Sequence, residues 1–325
     1  LYYRVRAWRL PKDGLPLLAS IAIVIPVHNR AQVIGRALGS VLASGAPDME
    51  VIVVDDASTD LTASVIGDIH DQRLRFERLP SKANANVARN QGIAVSTAPV
   101  IAFLDSDDVF KSGRVERLVR YFDQHPGVDA VLDGFAVVTG AREKPATVPS
   151  TSVEGRALAH LLVSHAIPLT CSSIAVRRTA LQEIGGFDNG LPRHQDRDLL
   201  LRLSLRHTIV LGTGSDVVKY QSSDSISRDP VGYVAALDQL VGRHPRFRDE
   251  GFDDLLSYLS CRVILKTILG GRFRSALAEM RALARAKHLP KGFLRGLLRY
   301  SRGRRARKLP YLPPGRPSNG KGANA

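Results

Sequence analysis

The chain has 325 residues, 44% hydrophobic and 24% charged, which is enough apolar material for a proper core and excludes an intrinsically disordered chain. Its net charge of +15 suggests a nucleic-acid partner until it is divided along the chain: residues 231–325 hold 20 Lys and Arg against 6 Asp and Glu, whereas residues 1–230 hold 26 against 25. Arg4, Arg6, Arg9 and Lys12 crowd the N-terminal arm, so the basic character belongs to the ends and the middle requires other chemistry.

No run approaches the roughly eighteen apolar residues of a membrane-spanning helix, and "LYYRVRAWRLPKDG" lacks the apolar stretch of a secretory signal, so the chain reads as cytoplasmic. Cys171 and Cys261 stand far apart in apolar surroundings without a CxxC or a nearby His, which predicts reduced, inert thiols. The runs 21–27 (IAIVIPV), 49–55 (MEVIVVD), 73–79 (RLRFERL) and 99–105 (PVIAFLD) predict strands. The first, second and fourth are nearly continuous in apolar residues, as strands covered on both faces should be. Val33, Ala37, Val41 and Leu42 recur at helical spacing, and Ser58 or Thr59 is expected to cap a helix reaching Ile69. Strand and helix alternating through short connections predict a parallel, right-handed α/β sheet. Beyond about residue 127 the pattern loosens into a mixed extension, with a helix over 153–164, a strand in "CSSIAVRR" and a helix opening near Gln195.

Polar residues gather where three of these strands end. The first ends in Pro26, Val27, His28 and Asn29, the second in Asp55 and Asp56, and the fourth in Asp105, Ser106, Asp107 and Asp108. Ligands of open α/β sheets bind beyond the carboxyl ends of the strands, so these ends converge on one rim. Three carboxylates within four residues repel one another and call for a cation or open water. No glycine-rich phosphate loop is present, so a diphosphate here would be neutralised by a divalent metal, for which Asp-x-Asp leaving a strand supplies hard oxygen ligands.

The ordered set "VIPVHNR", "VIVVDDASTD", "NANVARNQGI", "VIAFLDSDD" and "IGGFDNGLPRHQDRDLLLRL" resembles the family 2 glycosyltransferases with the GT-A fold, over roughly residues 20–225. The resemblance implies a Rossmann-like mixed α/β sheet flanked by helices, a nucleotide-sugar donor, UDP-linked, and a divalent ion, Mg2+ or Mn2+. Pro26 and His28 match the positions that shape the base pocket, and Asp56 the acid that accepts from a uracil-type imide, leaving Asp55 a structural role. Asn84 and Arg89 lie in the segment the family uses beside the nucleotide, although an Arg on a helix is commonly a solvated charge. Asp105 is implied to contact the ribose and the metal shell, Asp107 to ligate the metal directly, and Asp108 to orient the loop. Asp196 matches the general base that deprotonates the acceptor hydroxyl in one inverting displacement; from local sequence alone it could equally be an N-cap. The family usually has a Glu before this Asp, and here Gln195 stands instead. Asp198 is expected to face elsewhere and pair with Arg202, and His194 to be a rim residue. Where many relatives carry a basic or His side chain after the last strand, this chain offers Lys219, Gln221 and Arg228.

The chain thus divides into a basic and aromatic N-terminal arm (1–19), a GT-A catalytic domain (20–230), a basic amphipathic helical region (231–309) and a disordered tail (310–325). In the third part Phe273, Ala276, Leu277, Met280, Leu283 and Ala284 form an apolar stripe, with Arg272, Arg274, Arg281, Arg285 and Lys287 largely off it, and "FLRGLLRYSRGRRARK" continues the style. Such helices meet anionic membrane surfaces, and Tyr2, Tyr3 and Trp8 would serve the same face; alternatively the stripe packs on the catalytic domain. The implied activity is transfer to a glycan or lipid-linked acceptor in bacterial cell-surface polysaccharide or glycolipid synthesis, at the inner face of the plasma membrane. A catalytically inactive sugar-nucleotide-binding module is the alternative. A nucleic-acid binder is disfavoured, because acidic strand ends oppose that affinity.

Overall fold

A computed structural model describes residues 20–46, 48–148, 150–152, 155–221, 231–249 and 252–290. The expectations placed on Tyr2, Tyr3, Trp8, Arg228 and the segment 293–308 lie outside the described residues. The first half runs β1 (Ile21–Val27), α1 (Ile34–Leu42), β2 (Met49–Asp55), α2 (Thr62–Gly67), β3 (Leu74–Arg78), α3 (Ala85–Val95) and β4 (Val100–Phe103). Then come β5 (Val109–Phe110), α4 (Arg114–Gln124), β6 (Ala130–Leu132), β7 (Phe135–Thr139), β8 (Arg142–Ala146), β9 (Thr151–Ser152) and α5 (Gly155–Val163). A 3-10 turn at Cys171–Ser173 leads into β10 (Ile174–Arg177), α6 (Arg178–Glu183), α7 (Gln195–Leu203), β11 (Ile209–Leu211) and β12 (Val217–Tyr220). The last helices are α8 (Tyr233–Arg243), α9 (Arg246–Asp249), α10 (Asp253–Leu269) and α11 (Phe273–Arg285).

The predicted alternation produces an eight-stranded sheet in the order β3-β2-β1-β4-β10-β6-β11-β9. Its first four strands are parallel, with β1 between β2 and β4, and the mixed extension begins where β10 enters antiparallel between β4 and β6. A smaller sheet, β5-β12-β7-β8, lies beside it. The continuous apolar run of β1 has a direct cause. Ala22 and Val24 join one buried core, with α3, α5, α7, α8 and α10, while Ile21, Ile23 and Ile25 join another with α1 and α4. Helix α3 lies so close to β1 that a side chain at Gly92 would collide with Val24.

One local expectation fails. Neither Ser58 nor Thr59 caps α2: Ser58 Oγ accepts the Asn29 N–H at 2.9 Å, and the Thr59 N–H donates to Asn29 Oδ1 at 2.8 Å. The Asp60 carboxylate satisfies the start of α2 instead, accepting the Thr62 N–H at 3.0 Å, because Ser58 and Thr59 are spent joining the turn after β2 to the turn after β1. The C-terminal helices, set apart in sequence by their charge, are not set apart by packing. Leu237, Leu240, Val241, Phe247, Leu255, Leu256 and Leu259 belong to the same core as β4 and β10.

Helix α11 divides its apolar stripe, turning Ala276 inward and packing Leu283 against the core. Ala276 and Glu279 are its buried residues, and the Glu279 carboxylate accepts the Gly232 and Val234 N–H groups, at 2.6 and 2.8 Å, at the start of α8. A carboxylate at a helix N-terminus satisfies donors that have no partner within the helix and sits favourably in its dipole. Phe273 (67% exposed), Leu277 and Met280 are left facing outward, together with Leu265 and Leu269 (87%) at the end of α10.

Candidate active site

The turns after β1 and β2 are locked together. His28 Nδ1 lies 2.8 Å from the Asp56 carbonyl oxygen, and Asn29 and Ala57 both adopt left-handed backbone conformations. Pro26 stays in β1, paired with Val54. Asp55 is fully buried, accepts the Ser58 N–H at 2.9 Å and lies 3.4 Å from Arg78, a structural position. Asp56 is buried beside it, and its Oδ1 accepts the Ala83 N–H at 2.6 Å.

The asparagines of "NANVARN" hold the segment that carries Asp196. Asn84 caps α3, accepting from the Asn86 and Val87 N–H groups, and donates to the Asn189 carbonyl at 3.1 Å. Asn86 donates to the carbonyls of Asp188 and Leu191 at 2.8 and 3.0 Å. Asn90 donates to that of Phe187 at 2.8 Å and accepts the Phe187 N–H. Gly186 is required here: its φ is +67°, and a Cβ would strike the Asn90 side chain. Arg89, on the same helix, is no solvated charge. It is 3% exposed, stacks over Phe187 with its guanidinium carbon 5.3 Å from the ring centroid, and donates to Asp105 Oδ1 at 2.7 Å.

The acidic loop after β4 divides its carboxylates between architecture and cleft. Asp108 is fully buried; it accepts the Ser172 hydroxyl at 2.7 Å and the Tyr220 N–H at 3.3 Å, so it orients the loop. Ser172 Oγ in turn accepts the Asp105 N–H at 3.0 Å. Arg36 donates to the Asp107 carbonyl at 2.9 Å while lying over the Tyr220 ring. Lys219, on β12, enters from the second sheet: its Nζ is 3.9 Å from Asp105 and 3.7 Å from Asp108, and it donates to Thr170 Oγ1 at 3.1 Å.

The charges act on one another. Burial pushes the Asp105 carboxyl up, but Arg89 and Lys219 outweigh it and hold the group below the usual carboxylate range. Burial and then the Asp105 charge raise Asp107, and burial pushes Asp108 up to about 7 against the pull of Lys219. Burial disfavours the Lys219 ammonium, yet Asp108, Asp105, Asp107 and Asp196 together raise its pKa. Asp196 acts on Arg89 and on Lys219, so its charge lies in their neighbourhood. It lies in the first turn of α7, its Oδ1 accepting the Arg197 N–H at 3.0 Å, whereas the N-cap is His194 in a left-handed conformation. His194, expected on the rim, is buried: the ring packs edge-on against Tyr233, and burial, with Arg197, His165 and Arg193 nearby, keeps it neutral. Asp198 turns away into a pair with Arg202 (2.7 Å) and a bond with His244 (2.9 Å). Cys171 and Cys261 are buried free thiols, and burial pushes both up.

Among the described residues no three potential ligands converge to hold a metal ion. The donor set still fits a hard divalent cation, because Asp105 and Asp107 offer carboxylate oxygens at one loop and Mg2+ commonly takes one or two carboxylates and completes its shell with substrate phosphates and water. Local sequence offered no sign of Ser172 or Asn86, which act through partners far along the chain. Lys219 did carry a signal, a lone cation inside the apolar strand "VVKY".

Parallel strands that end in acids within a mixed sheet, with a further acid in the first turn of α7, are the arrangement expected of a nucleotide-sugar transferase. Residues 22–185 match the model of glycosyl transferase family 2, and the chain belongs to that family. It is 33% identical over 178 residues to an uncharacterized glycosyltransferase of Nostoc sp., covering 52% of this chain and 54% of that protein. It is 35% identical over 119 residues to the succinoglycan biosynthesis protein ExoO of Rhizobium meliloti, covering 37% and 34%. The chain thus spans about half the length of the first relative and a third of the second. The fold matches residues 1–349 of S. aureus TarS in complex with UDP-GlcNAc, with a TM-score of 0.67, 18% identity and 87% of each chain covered, so the fold is GT-A.

Proposed function

We propose that the protein is an inverting glycosyltransferase that moves a sugar from a UDP-linked donor to an acceptor hydroxyl. The observation that carries this reading is that one helix, α3, serves both acids: its Arg89 holds Asp105 at 2.7 Å, and its Asn86 and Asn90, with the cap Asn84, hold the loop that leads into Asp196. Asp196 accepts the acceptor hydroxyl's proton as its oxygen attacks the anomeric carbon. The bond from that carbon to the diphosphate breaks, the nucleotide diphosphate leaves with the electron pair, and the configuration inverts. Asp56, with His28 and Pro26 beside it, receives the base, as a carboxylate suits an imide N–H. Asp105 and Asp107 would hold Mg2+ or Mn2+, which when bound supplies charge neutralisation at the departing diphosphate. Asn84 acts at one remove, capping α3 and tying it to the loop before Asp196, and Arg89 fixes Asp105.

Cell-surface polysaccharide or glycolipid as the product, made at the inner face of the plasma membrane, is supported by the succinoglycan relative. It is also supported by the exposed apolar residues of α10 and α11, which stand among Lys266, Arg272, Arg274 and Arg281 and suit an anionic membrane surface. No helix among the described residues is long and apolar enough to cross a membrane. The domain division at 19, 230 and 309 is retained as a division of charge and task. Incubating the full chain with a panel of nucleotide sugars and Mg2+ or Mn2+ tests the activity: release of UDP from one donor supports it, and release from none refutes it. Sedimentation with phosphatidylglycerol vesicles tests the surface. Leu277→Glu with Met280→Glu should abolish binding without changing UDP release; unchanged binding removes the membrane from the reading.

A further inference from the structure

We infer that Arg197 and Tyr233, linked through His165, form an acceptor subsite next to Asp196: Arg197 grips an anionic group of the acceptor, a phosphate or a carboxylate, and Tyr233 donates to a second acceptor oxygen. This rests on the transfer reading above. The three side chains make one run of hydrogen bonds whose direction is fixed. Arg197 Nη2 donates to His165 Nδ1 at 2.8 Å. A guanidinium only donates, so Nδ1 is the ring's acceptor, and Nε2 carries the proton given to the Tyr233 hydroxyl oxygen at 3.0 Å. The phenol keeps its own hydrogen to donate, and nothing among the described residues accepts it. Arg197 Nε donates to the Leu162 carbonyl at 2.9 Å, so among the described residues the guanidinium is held by neutral groups and bonded to no carboxylate. Arg197 and Tyr233 are both half-buried, within reach of solvent. A guanidinium pinned in this way is suited to an oxyanion. Burial, with Arg197 and Arg262 nearby, holds His165 down at about 3, and burial raises Tyr233, so both stay neutral and the direction persists.

Backbone strain points to the same cluster. His165 follows α5 with a φ of +54°, at a position where glycine is usual, and His194 precedes α7 with a φ of +62°, where an extended Ser or Asp is usual. Left-handed backbone costs free energy in a residue with a Cβ, and such residues gather at functional sites. Both strained residues bring rings onto Tyr233: the His194 centroid is 5.1 Å away and the His165 centroid 6.2 Å. His194 is 7% exposed, and among the described residues its Nε2 has no hydrogen-bond partner, a polar atom buried within the cluster. Helix α7 sets the cluster next to the base. The Arg197 N–H donates to Asp196 Oδ1 at 3.0 Å, while the Arg197 side chain reaches the end of α5. An acceptor can thus place its reacting hydroxyl at one residue and its charge at the next. Glu279 of α11 holds the start of α8, which carries Tyr233, so the subsite is tied to the helix whose apolar residues face outward.

The test uses the full chain with 13C-labelled histidine, and thermal melting checks the folding of each variant. With UDP and Mg2+ saturating, the protein is titrated with inorganic phosphate, glucuronate and glucose while NMR follows the His165 and His194 ring signals. At least one anion should shift both rings saturably at about millimolar concentration, and glucose should not. Saturation by phosphate alone identifies a phosphate-linked acceptor, and by glucuronate alone an acidic glycan. Arg197→Gln should weaken the anion by about tenfold or more and Tyr233→Phe by about threefold, with calorimetric UDP affinity within about twofold of the wild type. His165→Gly separates binding from folding: freed of its strain it should melt no lower than the wild type, yet weaken the anion, read at His194, by roughly threefold. A response to neither anion, or an equal response to glucose, overturns the inference and leaves the donor reading intact. Unchanged anion affinity in a folded Arg197→Gln overturns it as well. No UDP binding overturns the donor reading instead, and the same titrations without nucleotide still decide the subsite.

Discussion

Two buried acidic clusters in this molecule treat charge in opposite ways. At the junction of α4, β6 and β12, Asp133 lies 3.0 Å from Arg114 and 2.6 Å from Arg117, and Asp216 lies 2.6 Å from each. The other oxygen of Asp133 accepts from Thr213 Oγ1 at 2.7 Å and the Gly214 N–H at 2.8 Å. Two acids meet two guanidinium groups, and every bond is short. At the cleft the cations are spread more thinly over the acids: Arg89 is 2.7 Å from Asp105, Lys219 stands 3.9 Å from Asp105 and 3.7 Å from Asp108, and Lys219 and Arg30 both act on Asp107. The consequence appears in the carboxyl groups. Burial raises Asp216, but Arg117 and Arg114 outweigh it and hold it below the ordinary range, whereas burial and Asp105 leave Asp107 raised. Charge that serves architecture is matched in place; charge that serves a visiting ligand stays under-matched until the ligand arrives.

The largest effect expected from breaking this contrast is on rate. Asp196→Asn should lower sugar transfer by about 10²–10⁴-fold, the usual worth of a general base, while UDP affinity measured by calorimetry stays within a few-fold. Undiminished transfer would remove Asp196 from the mechanism. In the matched cluster the effect should fall on stability: Asp133→Asn strips the fully buried Arg114 of a charge partner and should cost about 3–5 kcal/mol in urea melts, the penalty for a broken buried pair.

Asp107→Asn should behave oppositely, melting no lower than the wild type while losing Mn2+ and UDP affinity. Because the folded state raises the Asp107 pKa, the carboxylate is an unfavourable charge above that value and the strain fades as pH falls through it. The variant should lack that acid-side relief. A smaller loss, about 1–3 kcal/mol, is expected for Asn86→Ala, which leaves the buried carbonyl of Leu191 without its donor; a fall in transfer with unchanged UDP binding would show that the turn positions Asp196. The smallest is a pH effect. His194 stays neutral when folded, so the unfolded chain takes up a proton below about pH 6.5 that the folded chain does not, and stability falls as pH drops through that window. His194→Asn, which tolerates the left-handed backbone, should flatten that limb in melts recorded across pH.

The readable parts of the fold were those written in short periods. β1, β2 and β4 announced themselves by unbroken apolar runs because both faces of the sheet are covered, and α7 began where "HQD" met "LLLRL". Other features depended on contacts that no window spans. Ser58 and Thr59 looked like caps, but Asn29, in another turn, claims them. His194 looked like a rim residue, but the rings of Tyr233 and His165 pack edge-on against it. The stripe of α11 and the outward turn of Phe273, Leu277 and Met280 were expected, but its buried anchor was not, because Glu279 lies off the stripe and finds its partners at the start of α8.

By itself the sequence determined the parallel α/β half, the acids at its strand ends and their order along the chain, since backbone geometry ties each of these to neighbours a few residues away. Only the tertiary structure decided which acids face the cleft. It turned Asp108 inward onto Ser172, tied the loop before Asp196 to α3, and carried Lys219 in from a second sheet. Electrostatic attraction falls with distance through space and is indifferent to distance along the chain, so the balance of charge at this site was settled by strand pairing and packing.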